Sequence, residues 1–495
     1  MKEIKPEKSH KTYNLLLLVL ITMAIALVSC QKEPEPEPEP EPDTGVTAEA
    51  LMLNEWIREG MEYFYLWEQY LPDIDYTKEP DPKKYFYKLL YDKYDHDSWI
   101  VDNYDSLVSV FQGVETTTGM VAQPAYLPNG LDVVSIVLYV VPDSPAEDVG
   151  IKRGDMIIAI DGQGLTKNNY GDLFYQTTAT FEFGSFNGTN LVHDGATFEL
   201  TAVELSQNPV VHHEVIEYEG AKIGYFTYVQ FTAGEQDEWL DELNNVFDEF
   251  IAAGVTDVVV DLRYNPGGYG YLAAYIASVL GPRAAMENNE VFEKIEWNDQ
   301  LYQRWKEEDL NDDGVPDGEN STQLITRLPT TERNLDLSRV YFLTTGGSAS
   351  ASELLMVGLY PYTEVIQIGE TTYGKCYGSL TIDDWQTPKR HNWAMQPIVL
   401  KYANAEGFTD FINGLTPEPD YYVDEYLSEL VPFGSLDDPM LAKALEDITG
   451  VAPVTAKSAK QMIDLEPIPV ARKPLPERFI DWHVMDGLHQ LLPVE

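Results

Sequence analysis

Cysteine and positive charge are scarce in this chain. Among 495 residues there are two cysteines, Cys30 and Cys376, and 33 lysines and arginines stand against 82 aspartates and glutamates. Two thiols support no disulfide framework, so folding rests on packed apolar cores. The formal charge of −49 excludes nucleic acid as a natural partner, because two polyanions repel. Histidine is sparse too, and none is set by a neighbouring motif to activate Cys376 as a thiol nucleophile. What the chain does have is apolar material: 44% hydrophobic and 12% aromatic residues, enough for two or three packed domains.

The most informative stretch is residues 344–375. Val340-Tyr341-Phe342-Leu343 reads as a buried strand. Gly346-Gly347-Ser348-Ala349-Ser350-Ala351-Ser352-Glu353 reads as the turn that opens a helix, continued by Leu354, Leu355, Val357 and Gly358. A hydroxyl at such a turn lies beside unpaired backbone N–H groups and the positive end of the helix dipole, both of which favour an oxyanion formed in acyl transfer. The same residues also read as a capping box, with Ser350 bonding three residues on and Glu353 reaching back. This motif alone leaves both roles open.

Val365-Ile366-Gln367-Ile368-Gly369 reads as a second buried strand, feeding Glu370-Thr371-Thr372-Tyr373-Gly374-Lys375. Lys375 follows Ser350 by 25 positions. A lysine near apolar packing can act as a base once desolvation favours its neutral form, the plain alternative being a solvated loop lysine. A third element is Val258-Val259-Val260-Asp261-Leu262-Arg263, a buried strand, followed by Tyr264-Asn265-Pro266-Gly267-Gly268-Tyr269-Gly270. Glycine permits positive φ and close approach, so Gly267 or Gly268 could donate one oxyanion hydrogen bond and Ala351 the other. A Gly-Gly turn after a strand is most often only a turn.

The three motifs in this order resemble the C-terminal processing, or tail-specific, serine peptidases, whose pattern is a D-L-R-x-N-x-G-G turn, then S-A-S-A-S-E, then a G-K turn. The resemblance implies an α/β fold with a crotonase-like catalytic core over residues 207–452, with Ser350 as nucleophile and Lys375 as general base. It also implies polypeptide substrates and no cofactor required for catalysis. One departure is plain: the family often orients its lysine with an aspartate eleven positions after the nucleophile or a glutamine four after the lysine, and here those places hold Pro361 and Ser379. Ser379 is the candidate for that third role. Its difference leaves open a catalytically weak or inactive peptide-binding lipoprotein on the same fold, and an esterase using the same dyad is another alternative.

At the N-terminus, Lys2, Lys5, Lys8 and Lys11 precede an apolar run over residues 15–28 that ends Leu27-Val28-Ser29-Cys30. The run is short for a transmembrane helix. It resembles a bacterial lipoprotein signal, which implies cleavage before Cys30 and lipid on that thiol. Residues 1–30 carry four lysines and two glutamates, so their loss takes the charge from −49 to −51. Residues 31–46 contain a Glu-Pro repeat that proline and like-charge repulsion hold extended, a stalk that also resembles the export signals of surface lipoproteins. The expectation is a lipid-anchored protein of the cell envelope, on the outer membrane and facing the periplasm or the surface.

Residues 47–112 carry aromatics at helical spacing and read as the core of a small helical domain. Residues 113–206 turn to short strands, and within them Ser144-Pro145-Ala146, Gly154-Asp155 and Asp161-Gly162 punctuate a stretch that resembles a PDZ domain. That resemblance implies peptide binding by strand addition, with a terminal carboxylate on N–H groups of a Gly119-Met120 loop; a purely structural β-domain is the alternative. An alternating strand from Ile223 and a helix lined by Leu243, Val246, Phe247 and Phe250 make a β-α-β unit with the Asp261 strand. Asp309, Asn311, Asp313 and Asp317 stand at the first, third, fifth and ninth places of a calcium-type loop with Gly314 at the sixth, but Asn320 replaces the glutamate of the twelfth. A structural calcium and an acidic surface loop both fit. Residues 453–495 hold six prolines and read as a loosely structured tail able to dock back.

Overall fold

The computed structural model describes residues 45–187, 190–193, 195–310, 314–409, 411–454 and 465–468. Cys30, the signal-like segment and most of the Glu-Pro stalk lie outside these residues, as do Asn311 and Asp313 of the calcium-type loop. Among the described residues no helix is long and apolar enough to cross a membrane.

The N-terminal helices α1 (Ala48–Phe64), α2 (Pro82–Leu89) and α3 (Tyr104–Phe111) each start at a side-chain cap: Thr47, Asp81 and Asn103 accept from backbone N–H groups of the first turn. Their Trp56, Phe64, Tyr65, Tyr85 and Phe86 are buried. Their apolar side chains share a core with later segments: one apolar cluster runs from Trp56 through Trp297 to Phe342 and Leu355. Long-range bonds explain this: Trp56 Nε1 donates to Asp383 O at 3.1 Å, and Trp99–Val101 pairs antiparallel with residues 394–396.

The β-rich unit comprises β1 (Met120–Tyr126), β2 (Asp132–Val140), α4 (Pro145–Asp148), β3 (Met156–Ile160), β4 (Gln163–Thr166), α5 (Tyr170–Phe174) and β5 (Thr178–Asn187). Ser144 caps α4 by accepting from Glu147 N, with Pro145 opening the helix. Asp161 and Gly162 both take positive φ in the tight β3–β4 hairpin.

The C-terminal half runs β6 (Val210–Tyr218), β7 (Ala221–Tyr228), α6 (Glu238–Ala253), β8 (Asp257–Asp261), α7 (Gly270–Leu280), β9 (Val291–Trp297), β10 (Arg339–Thr344), α8 (Ala351–Leu359), β11 (Glu364–Gly369), β12 (Tyr377–Ser379), β13 (Ala394–Gln396), β14 (Ile398–Ala403) and α9 (Pro439–Thr449), with β15 (Glu466–Pro467) beyond. Its main sheet has the order β6-β7-β8-β10-β11, an antiparallel hairpin followed by parallel strands. These strands are apolar on both faces because both are covered. Val258, Val260, Val340 and Phe342 share a cluster with Phe247, Leu272 and Leu355 of the helices, whereas Val259, Tyr341, Leu343 and Ile366 share one with Met440, Leu441 and Leu445 of α9. Each such buried aliphatic side chain contributes roughly 1.5–3 kcal/mol. The carboxyl ends of β8, β10 and β11 therefore emerge side by side, and the three sequence motifs occupy the turns that leave them.

Candidate active site

The serine turn is pinned by its outer serines. Ser348 Oγ donates to Leu262 O at 2.7 Å and Ser352 Oγ to Asn265 O at 2.9 Å, both on the chain that leaves β8. Ala349 N–H adds a bond to Asn265 O at 3.0 Å. Ser350, between them, is held at φ +56° and ψ −112° with 6% of its surface exposed. A β-carbon makes that conformation costly, by about 1–3 kcal/mol, and the surrounding bonds impose it.

The glycine turn backs directly on this serine. Gly267 and Gly268 have φ of +112° and +136°. A Cβ on Gly267 would lie 2.8 Å from Ser350 Cβ and 3.1 Å from Ala351 N; one on Gly268 would lie 2.2 Å from Phe231 O. Only glycine allows both the angles and the approach. The two glycines differ in what remains free. Gly267 N–H donates to Asn265 Oδ1 at 2.9 Å, while Asn265 Nδ2 donates to Tyr228 O. The N–H groups of Gly268 and Ala351 have no acceptor among the described residues. Of the two alternatives left by the sequence, Gly268 is the glycine with a donor available.

Lys375 is not a solvated loop lysine: 2% of its surface is exposed. Its loop is tied to the serine turn by Glu353, which is fully buried. One oxygen, Oε2, accepts from Ser350 N and from Lys375 N, each at 2.8 Å; the other, Oε1, accepts from Gly374 N at 2.7 Å and from Thr372 Oγ1 at 2.5 Å. Burial raises the Glu353 carboxyl above its ordinary value, and the bonds from Thr372 and the three backbone N–H groups only partly offset that. Tyr373 N–H donates to Ser348 O at 2.9 Å, and the Tyr402 hydroxyl bonds Lys375 O and lies 3.3 Å from Ser350 O. The sequence presents Glu353 only as a capping partner. Its arm to residues 372–375, and the part played by Tyr402, carry no local signal.

Ser379 is buried on β12, with its hydroxyl donating to Gln396 Oε1 at 2.8 Å; Gln396 Nε2 in turn donates to Thr381 Oγ1 at 2.5 Å. Cys376 is buried in the large apolar cluster. Gly119, at φ +78°, packs so tightly on Ser144 that a Cβ would fall 2.1 Å from its Cβ, and its N–H is bonded to Thr117 Oγ1; Met120, buried, opens β1. In the acidic loop, Asp309 Oδ2 accepts from Gly314 N and Asp317 Oδ2 from Leu310 N.

A buried charge network joins the β-rich unit to this site. Arg153, in the turn before β3, donates to Tyr264 OH at 2.5 Å, to Glu425 Oε1 at 2.8 Å and to the carbonyls of Leu138 and Val431. Arg263 reaches the same Glu425 oxygen at 3.0 Å and also pairs with Asp261 and Asp438. Burial alone would raise the Asp261 carboxyl, but the adjoining Arg263 guanidinium and its hydrogen bonds hold it below its usual range. Tyr264 and Arg263 belong to the chain segment that forms the glycine turn, so the β-rich unit grips the turn itself.

Comparison with known proteins agrees with this architecture. Residues 222–422 match Peptidase family S41, residues 52–99 the Peptidase S41 N-terminal domain and residues 136–174 a PDZ domain. Among curated relatives, a carboxyl-terminal-processing protease of Picosynechococcus sp. is 26% identical over 281 residues, 53% of this chain and 58% of that protein. The carboxy-terminal processing protease CtpB of Bacillus subtilis is 25% identical over 305 residues, 58% of this chain and 54% of that protein. The chain thus spans little more than half the length of these two relatives. The crystal structure of a Bacteroides fragilis protein assigned to the S41 proteases superposes with a TM-score of 0.64 at 26% identity, covering 85% of this chain and 99% of that one. The ordered motifs, the paired matches to catalytic and N-terminal regions and the shared fold converge: this chain belongs to peptidase family S41, the C-terminal processing proteases, and carries a PDZ domain ahead of its catalytic core.

Proposed function

We propose that this chain is a serine endopeptidase of the C-terminal processing type, cleaving polypeptides captured by its PDZ domain with a Ser350/Lys375 dyad. One observation carries the reading: a single oxygen of Glu353 accepts from the backbone N–H of both Ser350 and Lys375, so the two segments lie within two hydrogen-bond lengths of each other. A nucleophile and a base 25 positions apart in sequence are then held by one rigid group.

In the proposed cycle the amine of Lys375, acting in its neutral form, takes the Ser350 proton as Oγ attacks the substrate carbonyl. The N–H groups of Gly268 and Ala351 receive the oxyanion. The lysine ammonium then protonates the leaving amine as the peptide bond breaks; a water deprotonated by the same lysine attacks the acyl-enzyme, and the lysine returns that proton to Ser350 Oγ as the ester bond breaks and the acid leaves. Ser379, its hydroxyl directed to Gln396, serves to orient the lysine. The leader reading adds lipid anchorage through Cys30 at the cell envelope, and the acidic loop adds a structural calcium near Asp309 and Asp317; both rest on sequence.

Digestion of an unfolded polypeptide by residues 31–495, with new chain ends read by mass spectrometry, tests the reading. Fragments should form with the unsubstituted protein and at a rate lower by about 10³-fold or more with Ser350→Ala. Equal fragmentation by both proteins contradicts the proposal. Peptide binding without cleavage points to the inactive binding protein, and ester turnover without polypeptide cleavage to the esterase.

A further inference from the structure

The segment of the C-terminal tail described here, residues 465–468, adds a strand to the free edge of the PDZ sheet. β15 pairs antiparallel with β1, Glu466 opposite Tyr126 and Pro467 opposite Ala125. We propose that this edge is the polypeptide-binding groove of the PDZ domain and that the chain's own segment Leu465-Glu466-Pro467-Ile468 is its resident occupant, which an incoming chain must displace. The proposal rests on the reading of the PDZ domain as a capture site and adds what fills it.

The backbone contacts are those of a built site. The position facing Ile468 is Pro124, which has no N–H and can only accept. Ile468 N–H donates to Pro124 O at 2.9 Å, and the reciprocal donor that proline lacks is supplied by a side chain: Gln123 Nε2 donates to Ile468 O at 2.7 Å and to Pro124 O at 2.9 Å. A strand interrupted by proline is thus completed by the glutamine beside it.

The side chains agree. An extended segment points successive residues to opposite faces. Ile468, 5% exposed, joins the cluster of Met120, Val137, Leu173 and Phe181, on the side where α5 packs. Leu465 joins the separate cluster of Ala125, Val134, Ile136 and Ile158 on the other face. Strand addition with pockets for alternate side chains is the physics by which such domains bind extended peptides. Tail numbers rise as β1 numbers fall, so the segment runs toward the Met120 end of β1. Because Ile468 is followed by 27 further residues of sequence, the groove accepts an internal stretch presenting a branched aliphatic side chain and does not require a chain end at this position.

The experiment uses the full chain carrying Ser350→Ala, so that binding is read without cleavage and its failure is distinct from failure of the peptidase reading. The probe is a fluorescent peptide copying residues 462–470, followed by anisotropy. Ile468→Asp empties the groove but leaves its walls, and the peptide should then bind about tenfold tighter or more, because a larger fraction of molecules is competent. Ile468→Gly gives the same gain with less disturbance if the aspartate variant folds poorly. Adding Gln123→Ala should abolish the gain. Equal affinity with and without the Ile468 substitutions, no binding to any variant, or a gain indifferent to Gln123→Ala would each overturn the proposal.

Discussion

Glu353 does more than end a helix. A buried carboxylate accepting four hydrogen bonds, three of them from backbone, is a structural bracket between the Ser350 turn and the Lys375 loop. Glu353→Gln keeps the shape but turns one oxygen into a donor that faces the N–H groups it should satisfy, leaving buried groups unpaired at about 1–3 kcal/mol each. We expect kcat to fall about 10²-fold or more with KM little changed, since the loss is of alignment. Steady-state kinetics with a thermal melt checks this. The sign of its pH dependence also follows. A carboxyl raised by burial keeps its proton to higher pH than an ordinary glutamate, so activity is present above its titration and lost as pH falls through it. Glu353→Gln should lack that acid limb. At this scale the turn that holds Ser350 and the loop that holds Lys375 were legible because their signals are local: a strand, a turn and a helix in succession. The second arm of Glu353 was not, since it crosses to residues 372–375 and leaves no spacing in the sequence.

Among the elements, the glycine turn after β8 carries the tightest steric demand. Gly267→Ala sets a Cβ 2.8 Å from Ser350 Cβ at a φ that alanine avoids, so the turn and Ser350 must separate. The reactivity of Ser350 should drop about 10²-fold. Gly162→Ala supplies the control: its φ of +71° costs backbone strain, but nothing lies within 4 Å, so only stability should move, by about 1 kcal/mol. Comparing labelling rates with melting temperatures for the two variants separates the effects. The strand pattern of the main sheet was readable because apolar runs such as 258–260 and 340–343 suit strands buried on both faces. Which glycine has a free N–H was not, because the Asn265 side chain decides it. What α1 to α3 pack against also escaped local reading: helical periodicity gives the buried face and says nothing of what covers it.

For the molecule as a whole, the arrangement of parts matters more than any one of them. The PDZ domain meets the glycine turn through Arg153, Tyr264 and Glu425, and its outer edge is bonded to a segment more than 300 positions away in sequence. Neither contact follows from pattern, since strand addition and buried ion pairs join residues of arbitrary separation. The family itself was legible, because three weak motifs in fixed order are jointly specific. The central claim is that Lys375 activates Ser350. Labelling with a fluorophosphonate, with the adduct mapped by mass spectrometry, tests it directly. The account predicts a single adduct on Ser350 in the native protein, its rate lowered about 10²-fold or more by Lys375→Met with the fold intact. An adduct elsewhere, or labelling of Ser350 at an unchanged rate without the lysine, would contradict it.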